Sequence, residues 1–153
     1  MNLSEVLTDE QRAIEARCLA ALARREHSRV ELAAKLHEFS PQAIASVLDT
    51  LAERGWQSDL RFAESYVRSH VSRGQGRLKI RHELEMRGIR GELLRDVLDS
   101  TDWYAVAHET YHKKYATPAQ TQQERAKRQR FMVQRGFTFD EIQQAMKATH
   151  NET

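Results

Sequence analysis

A hydroxyl side chain followed three residues later by glutamine or glutamate recurs ahead of apolar runs in this chain, at Thr8 and Gln11, Ser28 and Glu31, Thr121 and Glu124, and Thr138 and Glu141. That spacing lets a hydroxyl and a side-chain carbonyl or carboxylate cap the free backbone amides of a first helical turn. Ser40-Pro41 is another start, an N-cap followed by proline at the first helical position. Behind these starts the apolar residues return at intervals of three and four, the helical period. The chain is therefore expected to be all-α and built of short helices.

The helices group in threes. The first group carries Ile14, Cys18, Ala21 and Leu22, then Leu32, Ala33 and Leu36, then Ile44, Val47, Leu48 and Leu51, with Gly55 as the residue that ends its last helix. The second carries Phe62, Ala63, Tyr66 and Val67, then Ile80 and Leu84, then Leu94, Val97 and Leu98. The third opens near Asp102 with Val106, Ala107, Tyr111 and Tyr115, continues past Pro118 with Phe131 and Met132, and closes with Ile142, Ala145, Met146 and Thr149. Residues 86–98, M-R-G-I-R-G-E-L-L-R-D-V-L, fall on 134–146, Q-R-G-F-T-F-D-E-I-Q-Q-A-M, sharing Arg-Gly-apolar and the later apolar triplet. The first group fits more loosely, with Phe39, Ile44, Val47 and Leu48 opposite Ile89, Leu94, Val97 and Leu98. Three tandem three-helix repeats follow, over residues 8–56, 57–100 and 101–150. Stacked helical units make an elongated, curved molecule whose face can track a long partner.

Charge is distributed unevenly. The chain's net charge is +2, yet residues 1–66 carry −3, residues 67–111 carry +1 and residues 112–153 carry +4. Between Arg68 and Arg90 seven basic residues stand against Glu83 and Glu85. Such local excess suits a polyanion or an acidic protein surface. Cys18 is the only cysteine, which excludes an internal disulfide and fits a reducing compartment. No apolar run approaches the ~18 residues of a membrane span, and Met1-Asn2-Leu3-Ser4-Glu5 lacks a basic signal-peptide head, so a cytoplasmic location without membrane contact is expected.

Several blocks in order carry a family likeness: A-L-A-R-R-E-H-S-R-V-E-L-A-A-K-L at 21–36, L-A-E-R-G-W-Q-S-D-L-R-F-A-E-S-Y-V at 51–67, S-R-G-Q-G-R-L-K-I-R-H-E-L-E-M-R-G-I at 72–89, and K-R-Q-R-F-M-V-Q-R-G-F-T-F-D-E-I at 127–142. Over nearly all of residues 10–148 the chain resembles the RecX family of bacterial recombination regulators. The resemblance implies an all-helical three-repeat protein. It also implies a partner, the nucleoprotein filament of a RecA-class recombinase on DNA, whose ATP hydrolysis, strand exchange and coprotease activity it restrains. The tryptophan of R-G-W-Q-S-D departs from the family's usual Tyr or Leu, but Ser58 remains available as the N-cap of the next helix.

The candidate contact residues for recombinase or DNA are Arg68, Arg73, Arg77, Lys79, Arg81 and Arg90 in the second repeat, and Arg125, Lys127, Arg128 and Arg130 in the third. Ile80 and Leu84 face inward, so Lys79 and Arg81 flank the apolar stripe. A run of charge on one helix is as often solvated decoration as a site; two runs on equivalent helices favour a site. Arg87 and Arg135, each just before a glycine, fit a structural post at a helix C-terminus. The last helices of the second and third repeats carry Glu92, Asp96, Asp99, Asp140 and Glu141, which argues against their entering a DNA groove. Trp56, Tyr66, Trp103, Tyr104, Tyr111 and Tyr115 are read mainly as packing between helices, with Trp103 and Tyr104 opening a helix at a joint.

Three enzyme-like motifs are weighed and set aside. R-G-Q-G at 73–76 follows no strand and precedes no Lys-Ser/Thr pair, so it is a turn and not a phosphate cradle. His108-Glu109-Thr110-Tyr111-His112 has the H-E-x-x-H spacing of a zinc site but no third ligand and no cleft scaffold, and chance explains it. Cys18 sits on the apolar stripe of its helix with no cation nearby in sequence to activate it, so it is core. The expectation is a monomeric, non-enzymatic regulator without cofactor or metal, with weak, sequence-indifferent DNA binding as a secondary property. The rival reading is a stand-alone helix-turn-helix DNA-binding regulator.

Overall fold

The computed structural model describes residues 6–147. Met1–Glu5, Thr149 and the end of the third expected repeat lie outside them. Helices α1 (Asp9–Leu22), α2 (Arg29–Ala34), α3 (Pro41–Glu53), α4 (Asp59–Ser72), α5 (Arg77–Met86), α6 (Gly91–Asp99), α7 (Trp103–Lys114), α8 (Gln122–Gln134) and α9 (Phe139–Lys147) follow in order. Among the described residues there is no strand; the fold is all-α.

The starts are where the hydroxyls stand. Thr8 Oγ1 accepts from the Gln11 amide at 3.1 Å while Gln11 Oε1 accepts from the Thr8 amide at 3.0 Å. Ser28 and Glu31 exchange the same pair of bonds at 3.1 and 3.2 Å, and Thr138 and Glu141 at 3.3 and 2.8 Å. Ser40, Ser58 and Asp102 each cap the amide three residues on. The Thr121 box is only half of one. Its hydroxyl accepts from the Glu124 amide at 3.1 Å, but the Glu124 carboxylate reaches back one residue further, to the Gln120 amide at 2.8 Å. The R-G-Q-G segment lies between α4 and α5 as a turn. None of these helices exceeds 14 residues, a length marginal in isolation, so packing must hold them.

The chain divides into two compact units. One runs to Ser65 and includes Arg87–Ile89, and the other holds Tyr66–Met86 and the chain from Arg90 on. In the first unit Ile14 and Cys18 of α1 meet Leu32, Leu36, Val47, Leu48 and Leu51. Cys18 is buried there, and burial pushes its thiol pKa up, the nearby Arg17 charge offsetting part of the effect. Gln57 is buried and its amide donates to the His27 carbonyl at 3.2 Å and to Asp59 at 2.9 Å; Asp59 also accepts the first amide of α2, from Arg29, at 2.9 Å. The loop at Arg87–Ile89 lies on α2. Gly88 has φ +83, and a Cβ there would fall 2.3 Å from Val30 Cγ2.

In the second unit Val67, Ile80, Leu84, Leu94, Val97 and Leu98 are buried. Trp103 is buried too, and its indole N–H donates to the Leu98 carbonyl at 2.8 Å, fastening the start of α7 to the end of α6. Farther on, Ala107, Tyr111, Met132, Phe137, Ile142 and Ala145 form one core among α7, α8 and α9. The start of α5 is bound to the turn after α8: the Gly76 amide donates to the Arg135 carbonyl at 2.7 Å and the Leu78 amide to the Gly136 carbonyl at 2.9 Å. No described helix is long and apolar enough to cross a membrane.

Candidate partner-binding surface

On α5, Arg77 and Arg81 stand one helical turn apart and each already holds a carboxylate. Arg77 pairs with Asp99 at 3.2 Å and Arg81 with Glu85 at 3.2 Å. Lys79 lies on the other side of the inward Ile80–Leu84 stripe, with its Cβ against Gly136. The stripe is flanked as its spacing requires, but two of the three cations are partly neutralised.

On α8, about 3.6 residues per turn place Arg125 with Arg128 on one side and Lys127 with Arg130 on another. Arg125, Lys127 and Arg130 are exposed and hold no partner among the described residues. Arg128 has a different task. Its guanidinium donates to the Tyr111 hydroxyl at 3.0 Å and the Thr117 carbonyl at 2.8 Å, and lies 4.4 Å from the centre of the Tyr115 ring. It pins the loop after α7 onto α8. Desolvation raises the Tyr115 pKa, an effect that the Arg128 charge opposes.

Arg68 and Arg90 are exposed without partners among the described residues, and Arg90 is the N-cap residue of α6 without a capping side-chain bond. Arg73, just past α4, is exposed and lines a cleft with Lys113, Lys114 and Arg135, cations that repeat logic does not group with it. The adjacent Lys113-Lys114 pair at the end of α7 was the available signal. Arg87 directly follows the last residue of α5, a helix end as expected, and pairs with Glu31 at 3.5 Å; Arg135 reaches the Arg73 carbonyl at 3.4 Å.

Most of the remaining motifs resolve into packing contacts, but Trp56 and Tyr104, expected to pack between helices, do not. His108 and His112 lie 4.3 Å apart ring to ring, and His112 Nε2 is 2.9 Å from the Ala145 carbonyl, so it ties α7 to α9. Among the described residues no three His, Cys, Asp or Glu side chains gather as a metal cluster would require. Tyr66 stacks on His70 at 3.7 Å and its hydroxyl donates to Glu83. Trp56 and Tyr104 remain exposed, the Arg54 guanidinium lying 5.4 Å from the Trp56 ring.

Comparison with known proteins bears on family and fold. The family model for the second three-helix domain of RecX matches residues 58–98, and that for the third three-helix domain matches residues 100–146. A protein of Chromohalobacter salexigens named regulatory protein RecX is 48% identical over 129 residues, spanning 82% of this chain and 85% of the relative. One of the same name from Neisseria meningitidis serogroup C is 39% identical over 145 residues, 93% of this chain and 94% of the relative. The crystal structure of RecX from Lactobacillus salivarius superposes with a TM-score of 0.77 at 21% identity, covering 92% of this chain and 97% of that one.

Proposed function

This chain belongs to the RecX family of regulatory proteins, and from that premise we propose that it binds the filament a RecA-class recombinase forms on DNA and restrains its ATP hydrolysis, strand exchange and coprotease activity. The three-helix segments 8–56, 57–100 and 101–150 act as successive contact modules. The basic second and third meet DNA phosphates or acidic filament surface, and the acidic first meets another recombinase subunit. A ligand that binds one filament state more tightly than the other shifts the filament toward that state, and the rearrangements tied to nucleotide hydrolysis are opposed. No chemistry by this chain is needed; it acts as a non-enzymatic regulator inside the cell.

Beside the family likeness, the reading is carried by exposed cations of the second and third segments that hold no partner among the described residues, Arg68, Arg90, Arg125, Lys127 and Arg130. Charges without a partner in the protein lose least when a polyanion takes them up. The test is recombinase ATPase on single-stranded DNA. Reversal of Arg125, Lys127 and Arg130 to Glu is expected to raise the half-inhibitory concentration about tenfold or more. Reversal of Arg77, Lys79 and Arg81 is expected to raise it less. Equal inhibition by wild type and both variants would remove these surfaces from the account. Tight, sequence-dependent binding to bare DNA would favour the helix-turn-helix rival.

A further inference from the structure

We propose that the cleft where α4, α7 and α8 end, of about 310 Å³, binds an acidic peptide segment that also carries an apolar side chain. Four cations line it: Arg73 just past α4, Lys113 and Lys114 closing α7, and Arg135 capping α8. Cations near helix C-termini commonly serve the exposed carbonyls. Here only Arg135 donates to one, that of Arg73 at 3.4 Å. The side chains of Arg73, Lys113 and Lys114 donate no hydrogen bond, and no carboxylate pairs with any of the four among the described residues. One acid, Glu109, shares the lining. Four convergent cations beside one carboxylate leave the cleft with an excess of positive charge, and an anion seated among them relieves the repulsion between them.

The floor of the cleft decides which anion. Val71, Val106 and Phe131 supply apolar surface beside the charges. A nucleic-acid strand would use Phe131 as a stacking platform, but cations already lie over that ring. Lys114 Nζ is 4.1 Å and the Arg135 guanidinium carbon 5.2 Å from its centre. An aliphatic side chain needs no ring face and fits against the two valines. The first unit also has a basic cleft, with Arg17, Arg24, Arg25 and Lys35 in its lining, but there two of the four already hold carboxylates, Arg17 with Glu38 and Arg25 with Glu31. That the peptide belongs to a recombinase subunit rests on the function proposed above; the preference for an acidic peptide does not.

Fluorescence anisotropy of a short labelled peptide alternating glutamate and leucine, titrated with the full chain, tests it. The acidic peptide is expected to bind and its lysine-leucine counterpart to fail. R73E/K113E should weaken binding at least about tenfold while the melting curve stays in place. Should that variant melt low, R73Q/K113Q carries the same comparison. Absence of acidic-peptide binding to wild type, or undiminished binding to a folded variant, overturns the proposal. So does an oligothymidine that binds wild type in place of the peptide and is lost from R73E/K113E. Recombinase ATPase then separates the two readings. A variant that loses the peptide yet inhibits fully keeps the cleft and removes its owner from the filament. Wild type that binds the peptide yet inhibits nothing removes the functional reading and keeps the cleft.

Discussion

Glu31 takes part in three interactions at once. It accepts the Ser28 amide at 3.2 Å, pairs with Arg25 at 3.1 Å and meets Arg87 at 3.5 Å. Burial alone would raise its carboxyl pKa, but the bond from Arg25, the Ser28 amide and the charges of Arg25 and His27 outweigh it, and the net shift is downward. A carboxyl held below its unfolded value of about 4.3 contributes stability that is complete above that value and lost as pH falls through the lowered one. E31Q is therefore expected to melt below wild type at pH 7, by about 1 kcal/mol. The gap should close as the solution is acidified through the carboxylate range; a gap in thermal melts that does not vary with pH would refute the charge argument. The Ser28–Glu31 box was legible because a cap is local, three residues from end to end. The role of Arg128 was not. Sequence groups it with Arg125, Lys127 and Arg130, while its partners Tyr111, Tyr115 and Thr117 come from a helix and loop whose return onto α8 no spacing records.

Among the elements, α5 is preceded by Gly76, which has no side chain to cap it, and the amides of Gly76 and Leu78 are satisfied from far along the chain by the carbonyls of Arg135 and Gly136. Helix starts must be paired with something. Where the partner is a hydroxyl next door the sequence announces it, and where the partner is a turn far along the chain it does not. The glycines are the trace of this contact. A Cβ on Gly76 would lie 2.6 Å from the Gly136 carbonyl, and one on Gly136, at φ +100, would lie 2.6 Å from Lys79 Cβ. G136A is expected to lose about 1 kcal/mol to the left-handed backbone and a further 1–3 kcal/mol as α5 is pushed off the turn. Gly91 supplies the control, since it too has positive φ (+64) but nothing within 4 Å of its missing Cβ. G91A should cost only the backbone share, about 1 kcal/mol. Urea denaturation of both decides it: equal losses would mean that the close approach of α5 contributes nothing.

Across the whole chain, a net charge of +2 understates what a polyanion meets, because the deficit sits in residues 1–66 and the excess beyond residue 111. Ordered blocks of sequence were enough to place the chain in its family, since short capped helices with fixed apolar spacing tolerate wide drift; the fold persists at 21% identity in the Lactobacillus salivarius protein. Contact residues were less legible. A count of basic residues treats Arg81 and Arg130 alike, whereas Glu85 already engages the first and no partner engages the second among the described residues. The distinction has a measurable consequence if exposed cations meet phosphates. Each such contact releases counterions and contributes about 0.7 to the slope of log affinity against log salt on a single strand. Recombinase ATPase, referenced at every salt concentration to recombinase alone, should show inhibition weakening as salt rises. Reversal of Arg125, Lys127 and Arg130 should flatten that dependence by about 2 in slope. Reversal of Arg77 and Arg81 should flatten it less, because their carboxylates already share the charge. An unchanged slope in the α8 variant would assign the affinity to contacts other than phosphate.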